Sequence, residues 1–169
     1  MLRLAWLVLV AAVTALFLKS FVAEIIYIPS PSMEPTLPVG TYAVLDKITF
    51  KLREPERGDI IVFRSPEDRE KELVKRVIAT PLETVELRQK TVWVNGKKLN
   101  EPYVQYTRPQ DLLRGDNLEP TVVSPRSVFV LGDNRDESRD STVWADPQTH
   151  RRILFVPYIS IRGVVRGFY

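Results

Sequence analysis

The amino-acid sequence predicts an all-β domain preceded by one N-terminal transmembrane helix. An almost unbroken apolar run from Leu4 to Leu18 is the only segment that approaches membrane length. After it, short runs of β-branched and aromatic residues are separated by turn residues, a pattern typical of strands joined by tight connections. No helical periodicity of convincing length follows the apolar run. We therefore expect a partly closed barrel or coiled antiparallel sheets, an architecture built from many short strands.

The apolar run is fifteen residues long, whereas a membrane-spanning helix needs about 20 residues. A helix from Leu2 to Ala23 would be long enough, provided that Lys19 extends its amine toward the interface. A cleavable signal peptide is the main alternative. Bulky Phe21 occupies the third position before a cut after Ala23, which disfavours that alternative. We therefore predict a retained membrane anchor.

The anchor divides the chain into two predicted regions, residues 1–24 in the membrane and residues 25–169 as a β-rich domain. Basic residues flank the apolar run on both sides, Arg3 before it and Lys19 after it. Because the segment before the run is very short, we expect the large domain on the extracytoplasmic side of a single-pass protein.

Strand patterns recur along the rest of the chain. The clearest is a hairpin centred on Asn95-Gly96, because this dipeptide favours a type I′ turn between two strands. The segment from Arg108 to Glu119 is polar and lacks periodicity, so we predict a surface excursion there. The predicted strands cover these segments: Tyr42–Leu45, Ile60–Phe63, Leu73–Ala79, Thr91–Val94, Lys97–Leu99, Val128–Leu131 and Ile159–Phe168.

The composition excludes several classes of chemistry. Cysteine is absent, so the chain has no disulfide framework, no thiolate nucleophile and no cysteine-based zinc site. His150 is the single histidine, which excludes multi-histidine metal sites, and we expect neither a metal nor another cofactor. With 24 basic and 21 acidic residues the net charge is +3. This mixed charge favours an anionic lipid surface, and it lacks the concentrated basic face of a nucleic-acid binder.

A proline-rich stretch from Ile28 to Leu37 follows the anchor and holds two serines, Ser30 and Ser32. Proline fixes its own φ and favours extended geometry at the preceding residue. We therefore expect a stiff, extended loop without a helix, with the Ser32 hydroxyl on a rigid support near the membrane. A plain proline-rich linker is the alternative interpretation.

The strand pattern from Leu73 to Ala79 contains a lysine where an apolar residue is expected. Lys75 shares one face with Leu73, Val77 and Ala79 under the two-residue period of a strand. Burial lowers the pKa of a lysine amine and suits it to act as a general base near neutral pH. The alternative is a lysine that protects an exposed edge strand.

A polar segment, Gly132 to Ser141, directly follows the last central strand pattern. Its residues do not fit a calcium-binding loop, and the alternating charges predict a loop in which they hold one another and the backbone. The sequence also lacks a Gly-x-Ser-x-Gly motif, and His150 lies in a polar segment away from any strand. If Ser32 is a nucleophile, a lysine is therefore its natural base, as in a Ser–Lys dyad.

Four segments in order resemble the conserved boxes of type I signal peptidase, a membrane-anchored Ser–Lys endopeptidase. The single-span form and Phe21–Glu24 are similar to cyanobacterial members. The resemblance implies Ser32 as nucleophile, Lys75 as general base, and an oxyanion hole formed by the Ser30 hydroxyl and the Ser32 backbone N–H. The resembling segments are Ile28–Leu37, Arg57–Phe63, Val74–Ala79 and Gly132–Ser141. The substrate-binding residues that it implies are Met33, Ile60, Ile61, Val62 and Phe63.

The same resemblance implies a supporting set around the dyad. Ser138 falls where a hydroxyl orients the lysine amine, and Asp133 falls where a carboxylate pairs with Arg76. Asp140 falls where the family places an aspartate paired with an arginine, but Thr142 stands in the place of that arginine. Asp140 therefore needs another partner, and the candidates in the same segment are Arg135 and Arg139.

Other departures from the family concern turns and length. Leu82 replaces a glycine in the turn after Ala79, which would strain the backbone if φ is positive there. The segment from Asp146 to Leu154 is similar to an insertion. These departures keep open an alternative function, a catalytically impaired anchored β-domain that binds export substrates or machinery. A self-cleaving Ser–Lys regulator of the repressor type would need a DNA-binding domain where this chain has an anchor.

The resemblance implies removal of N-terminal signal peptides from exported preproteins, after small residues in an Ala-x-Ala pattern. The implied partners are preprotein signal peptides and the lipid bilayer, with the protein-export translocon as a further candidate. Nucleic acid is not an expected partner. The implied location is the plasma membrane or the thylakoid membrane, with the catalytic domain on the extracytoplasmic or lumenal side.

Overall fold

The structure is a computed structural model that describes residues 2–169, apart from the side chains of Leu2, Phe17 and Leu18. Helix α1, Leu2–Phe21, projects from the β-domain, and its segment Arg3–Phe21 is long and apolar enough to cross a membrane. The helix ends two residues before Ala23, the end expected from the sequence, because the chain enters strand β1 at that residue.

The rest of the chain is mostly β-structure, as predicted. The strands are β1 Ala23–Tyr27, β2 Tyr42–Asp46, β3 Ile60–Arg64, β4 Glu72–Ala79, β5 Thr84–Arg88, β6 Thr91–Val94, β7 Lys97–Lys98, β8 Leu118–Val122, β9 Ser127–Leu131, β10 Val156–Pro157 and β11 Ile161–Phe168. Short helical segments are α2 Thr49–Leu52 and the 3₁₀ turns Pro31–Met33, Arg135–Glu137 and Tyr158–Ser160.

The strands form two antiparallel sheets. The larger is a curled half-barrel of seven strands in the order β1-β2-β11-β3-β4-β9-β10, and the smaller has four strands in the order β7-β6-β5-β8. Buried side chains of β4 and β9, including Ile78 and Phe129, pack against Val85 and Val92 of the small sheet. A second cluster lies against the large sheet, where Phe63 and Trp144 meet edge to face with ring centroids 5.7 Å apart.

Every predicted strand segment contains a strand, although the ends differ. Asn95 and Gly96 have φ values of 51° and 73°, which is the type I′ geometry that the hairpin pattern predicts. The start of the last predicted strand is instead the 3₁₀ turn Tyr158–Ser160. Strands β1, β5, β8 and β10 were not predicted, and β8 begins inside the expected surface excursion at Leu118.

Leu82 stands where the family has a glycine, and backbone strain was expected there if φ is positive. Its φ is indeed positive, at 67°. It follows Pro81 in a turn closed by a hydrogen bond from the Glu83 N–H to the Thr80 carbonyl. This is the third position of a type II turn, where glycine is normally required. The side chain is 71% exposed, so no packing offsets the backbone cost.

Candidate active site

The proline-rich loop positions Ser32 through a short helical turn. Ser30 is extended, with φ −132° and ψ 152°, as expected for a residue before proline. The expectation of a loop without any helix is wrong, because Pro31 starts a 3₁₀ turn that continues to Met33. Proline suits the first helical position, since its φ is already helical and its missing N–H needs no partner. Met33 and Leu37 are buried and fix the loop to the sheet.

Ser32 and Lys75 meet inside the protein, although 43 positions separate them in the chain. The Lys75 Nζ lies 2.8 Å from the Ser32 Oγ and 3.0 Å from the carbonyl oxygen of Val74. Lys75 is 3% exposed. Burial lowers the pKa of its amine to about 8, against the opposing effects of the Asp140 and Asp133 carboxylates. An amine of this pKa can exchange a proton with the hydroxyl near neutral pH.

Strand β4 lies in the middle of the large sheet, between β3 and β9. Pairing of β4 with β9 begins only at Arg76, but the Lys75 side chain is buried and bound to Ser32, so the alternative interpretation of Lys75 as a lysine that protects an exposed edge is wrong. Ile61 of β3 is paired directly with Lys75 and is completely buried. This apolar cross-strand neighbour is part of the environment that disfavours the charged form of the amine.

Ser30 lies beside the nucleophile candidate, with 3.3 Å between the Oγ atoms of Ser30 and Ser32. Both hydroxyls therefore reach the same small volume next to the Lys75 amine. A hydroxyl at this distance could donate a hydrogen bond to an oxyanion that forms beside Ser32.

Arg76 and Asp133 form a bidentate ion pair, the pairing that the resemblance implies. The Arg76 Nε and Nη2 donate to the two Asp133 oxygens at 2.8 and 2.6 Å. Thr36 of the serine loop donates a further hydrogen bond to Asp133, which is 1% exposed. The Arg76 guanidinium also stacks on the Tyr103 ring, 3.9 Å from its centroid. The ion pair thus joins β4 to the serine loop and to the segment after β9.

Ser138 lies next to the dyad but directs its hydroxyl to Asp140. The Ser138 Oγ donates to Asp140 Oδ2 at 2.7 Å, whereas within residues 2–169 the Lys75 Nζ bonds to Ser32 and to the Val74 carbonyl and not to Ser138. A side chain on Gly132 would collide with both the Ser138 hydroxyl and the Ser32 carbonyl oxygen. Glycine at this position therefore permits the close approach of the two serines.

Asp140 has neutral donors in place of an arginine. It accepts hydrogen bonds from the Gly132 N–H, the Ser138 hydroxyl, and the N–H and hydroxyl of Thr142. The expectation that Arg135 or Arg139 replaces the missing partner is wrong. Those guanidinium groups bind carboxylates outside the polar segment, Glu101 and Glu67 respectively.

The cross-linked loop expected for Gly132 to Ser141 forms only in part. Asp140 and Arg135 hold the backbone of the loop at the N–H and the carbonyl of Gly132, as expected. The ion pairs of its charged side chains instead join distant segments of the chain. The pairs are Asp133–Arg76, Arg135–Glu101, Asp136–Lys90 and Arg139–Glu67.

A groove of ≈ 280 Å³ leads to the dyad. One side is formed by residues 26–30 and the other by residues 72–75. Strand β1 is at the edge of the large sheet, and residues 72–75 of β4 pair only with β3, since pairing with β9 begins at Arg76. Two strand edges without partners in the described chain therefore face this groove.

The implied substrate-binding residues separate into two groups. Met33 and Val62 line the groove. Ile61 and Phe63 do not, because both are completely buried and pack with Trp144 in the core. Ile60 packs beside Met33, Leu37 and Val165 without lining the groove. Sequence reasoning missed other lining residues, Ile26, Tyr27, Ile28, Leu73 and Val74, although the apolar run at 25–28 was a usable signal.

Comparisons with known proteins agree with this geometry. The family model described as signal peptidase, peptidase S26, matches residues 1–169. A probable signal peptidase I-1 from Synechocystis sp. is 44% identical over 145 residues, which cover 82% of this chain and 71% of the relative. Signal peptidase I from Leptolyngbya laminosa is 42% identical over 141 residues, which cover 79% of this chain and 66% of the relative.

A solved structure shows the same fold. The crystal structure of a signal peptidase I from Enterococcus faecalis V583 superposes with a TM-score of 0.51 and is 32% identical in sequence. The superposition covers 68% of this chain and 98% of that chain.

Proposed function

The chain belongs to the signal peptidase family, peptidase S26, and we propose that it removes N-terminal signal peptides from exported preproteins as a membrane-bound serine endopeptidase. It cuts after small residues in an Ala-x-Ala pattern, with Ser32 as nucleophile and Lys75 as general base. The observation that carries this proposal is the 2.8 Å contact between a buried lysine amine and a serine hydroxyl on a rigid loop.

In the acylation step, neutral Lys75 takes the hydroxyl proton of Ser32 while the oxygen attacks the scissile carbonyl. The oxyanion is stabilised by the Ser30 hydroxyl and the Ser32 backbone N–H, each worth roughly 3–4 kcal/mol by analogy with other hydrolases. Protonated Lys75 then gives its proton to the leaving amine, and the peptide bond breaks. In the second step Lys75 activates a water molecule, which hydrolyses the acyl-enzyme and releases Ser32.

The surroundings of the dyad support this chemistry through a lowered lysine pKa, a neighbouring hydroxyl and an ion pair. The pKa of about 8 leaves a minor but useful fraction of Lys75 neutral at pH 7. The Ser138 hydroxyl donates its hydrogen bond to Asp140, so its oxygen lone pairs are free to accept a hydrogen bond from the lysine amine during turnover. Arg76 and Asp133 hold the serine loop and β4 in register as structural support.

The groove supports binding of the substrate as an added strand. An extended peptide placed between β1 and residues 72–75 would meet strand edges on both sides, and its alternate side chains would point to opposite walls. The buried or partly buried side chains of Met33, Val62 and Val74 limit the depth of the groove. A shallow apolar wall of this kind favours small residues next to the scissile bond.

Helix α1 supports retention in a membrane, and the β-domain adds an apolar face beside it. Strand β1 begins two residues after the end of α1 and exposes Ile25 and Tyr27. Tyr42 of β2 packs on Tyr27 with ring centroids 5.4 Å apart, and Tyr169 is also exposed nearby, bonded through its backbone to Tyr42. Tyrosine is enriched at membrane–water interfaces. This face would place the groove close to a membrane-inserted signal peptide in the plasma or thylakoid membrane, where the export translocon delivers it.

The test is cleavage of a model preprotein with an Ala-x-Ala site by the full-length protein in detergent. Wild type should produce one new N-terminus directly after the second alanine, and Ser32→Ala and Lys75→Ala should each be inactive. Two exposed residues outside the groove supply matched controls, Ser124→Ala and Lys98→Ala, which should retain activity. A folded but inactive wild type would favour the alternative of an anchored binding domain.

A further inference from the structure

A second groove lies at the opposite edge of the large sheet from β1. Its volume is ≈ 540 Å³, and it shares no lining residue with the groove at the dyad. One wall is the turn between β3 and β4, and the other is the segment that includes β10, the last strand of the sheet. We call it the β10 groove. Its lining residues are Arg64, Ser65, Pro66, Arg69, Asp146, Ile153, Phe155, Val156, Pro157, Ile159 and Ser160.

The β10 wall is apolar and regularly spaced. Ile153, Phe155, Pro157 and Ile159 are alternate residues of one segment, and all four line the groove. Ile159 is 96% exposed, although it is among the more strongly hydrophobic side chains of the domain. Apolar side chains left in water at this level commonly mark an interaction site when they are contiguous with others.

The opposite wall carries two guanidinium groups without acidic partners. Arg64 and Arg69 are exposed, and neither side chain forms a hydrogen bond or an ion pair with any residue that the structure describes. Neighbouring Arg139 contrasts with them, because both its Nε and Nη2 bind Glu67. Asp146, the acidic residue in the lining, is occupied by the backbone N–H groups of residues 148 and 149. The groove lining therefore keeps a net positive charge, because the Asp146 carboxylate stays ionised and offsets only one of the two arginines.

Both walls are formed before any partner arrives. The Ser65 hydroxyl accepts the backbone N–H groups of Glu67 and Asp68, which fixes the turn between β3 and β4. Residues 145 and 152 form a β-bridge that closes the loop next to the other wall. The Glu67 carboxylate joins the two sides, since it binds both Arg139 and the Ala145 N–H. A preformed groove avoids most of the ordering cost that reduces binding affinity.

We propose that the β10 groove docks an extended segment of a partner protein whose side chains alternate between apolar and acidic. Successive side chains of an extended peptide point to opposite sides. One row would therefore lie on Ile153, Phe155 and Ile159, while the other would reach Arg64 and Arg69. The interaction goes beyond signal-peptide cleavage and does not use the dyad.

The test measures binding of a fluorescein-labelled octapeptide of alternating leucine and glutamate to the full-length protein in detergent, by fluorescence anisotropy. Replacing both arginines, Arg64→Gln with Arg69→Gln, should weaken binding roughly tenfold, since two exposed charge pairs are lost. Ile159→Ser should weaken it by at least about tenfold, because a buried apolar contact is lost. A matched peptide with lysine in place of glutamate should not bind.

Controls come from exposed residues that do not line the β10 groove. Arg114→Gln removes another unpaired arginine, and Leu112→Ser removes another exposed apolar side chain, and both should bind like wild type. Equal affinity in the groove variants and wild type, or equal affinity for the lysine peptide, would overturn the proposal. So would self-association of the wild type that Ile159→Ser abolishes, because the occupant would then be a second copy. Preprotein cleavage by every variant should stay normal, which separates this outcome from failure of the proposed peptidase activity.

Discussion

Lys75 carries a stability cost that follows from its proposed role. Its amine is buried beside apolar neighbours, so in the folded protein the charged form is less stable than in the unfolded chain. The two-residue period of the strand predicted this apolar environment from sequence. The sequence could not decide whether β4 was an edge or a central strand, because that depends on pairing with β9, more than fifty positions away.

Replacement of Lys75 with methionine should therefore stabilise the protein while abolishing activity. At pH 7 the lysine is mostly charged in both states, and only the folded state bears the desolvation cost. Because the pKa of the amine falls from 10.5 to about 8 on folding, we expect Lys75→Met to raise the free energy of unfolding by about 3 kcal/mol at pH 7. Urea unfolding in detergent measures this value, and a comparable loss of stability would contradict the account.

The difference in the free energy of unfolding between Lys75→Met and the wild type should depend on pH in a defined direction. Between pH 8, the approximate pKa in the folded protein, and 10.5, the unfolded value, the unfolded chain binds more protons. The free energy of unfolding of the wild type should therefore rise with pH over this window. The advantage of Lys75→Met should shrink toward pH 10.5 for the same reason, and a constant advantage would exclude lysine titration as its source.

At the scale of elements, the segment from Gly132 to Ser141 forms ion pairs with several distant segments of the chain and so holds them together. The family resemblance implied one of its partners, since Asp133 pairs with Arg76 as expected. The partners of Arg135, Asp136 and Arg139 were not predicted, because each lies at a different place in the chain and pairs of this kind leave no local signal. Thr142 illustrates this failure. An arginine partner was expected for Asp140, but the N–H and the hydroxyl of Thr142 donate to that carboxylate instead.

The ion pair between Arg76 and Asp133 should be the most costly of these contacts to break. Arg76→Met would leave the Asp133 carboxylate buried with only the Thr36 hydroxyl as a side-chain donor. We expect a loss of roughly 3–5 kcal/mol in the free energy of unfolding, as for other buried pairs that lose one partner. The double variant Arg76→Met with Asp133→Leu should recover part of it in urea unfolding. A single variant as stable as wild type would show that the pair is not structural.

A substitution in the turn at Leu82 should stabilise the protein, in contrast to the loss expected at the ion pair. Leu82→Gly relieves a left-handed backbone conformation that costs a non-glycine residue about 1 kcal/mol, and little packing is lost because the side chain is exposed. Part of the gain is offset by the greater freedom of glycine in the unfolded chain. We expect the urea midpoint to rise without a change in the slope. Leu112→Gly, at another exposed loop position, is the control and should not raise it.

For the whole molecule, the order of anchor, serine loop, lysine strand and polar segment could be predicted from sequence, and the contacts between them could not. Strand β1 was missed because its five residues directly continue the apolar anchor, with no turn residue to separate them. Strand β1 nevertheless matters for the site, since it connects helix α1 to one wall of the dyad groove.

Retention of the anchor is testable on the intact protein. After expression in a bacterial host, the chain should stay in the membrane fraction through alkaline carbonate extraction and keep its original N-terminus. Protease added to the outside of sealed cells made permeable only at the outer envelope should digest the β-domain. A soluble product that begins at Glu24 would instead identify α1 as a cleaved signal peptide.

The measurement that tests the central claim most directly is the pH dependence of kcat/KM for preprotein cleavage. The account predicts that kcat/KM rises roughly tenfold per pH unit at low pH and levels off above about pH 8, as Lys75 loses its proton. His150→Asn should leave this profile unchanged. A profile that levels off near pH 6.5, the ordinary range of histidine, and that changes in His150→Asn would contradict Lys75 as the base.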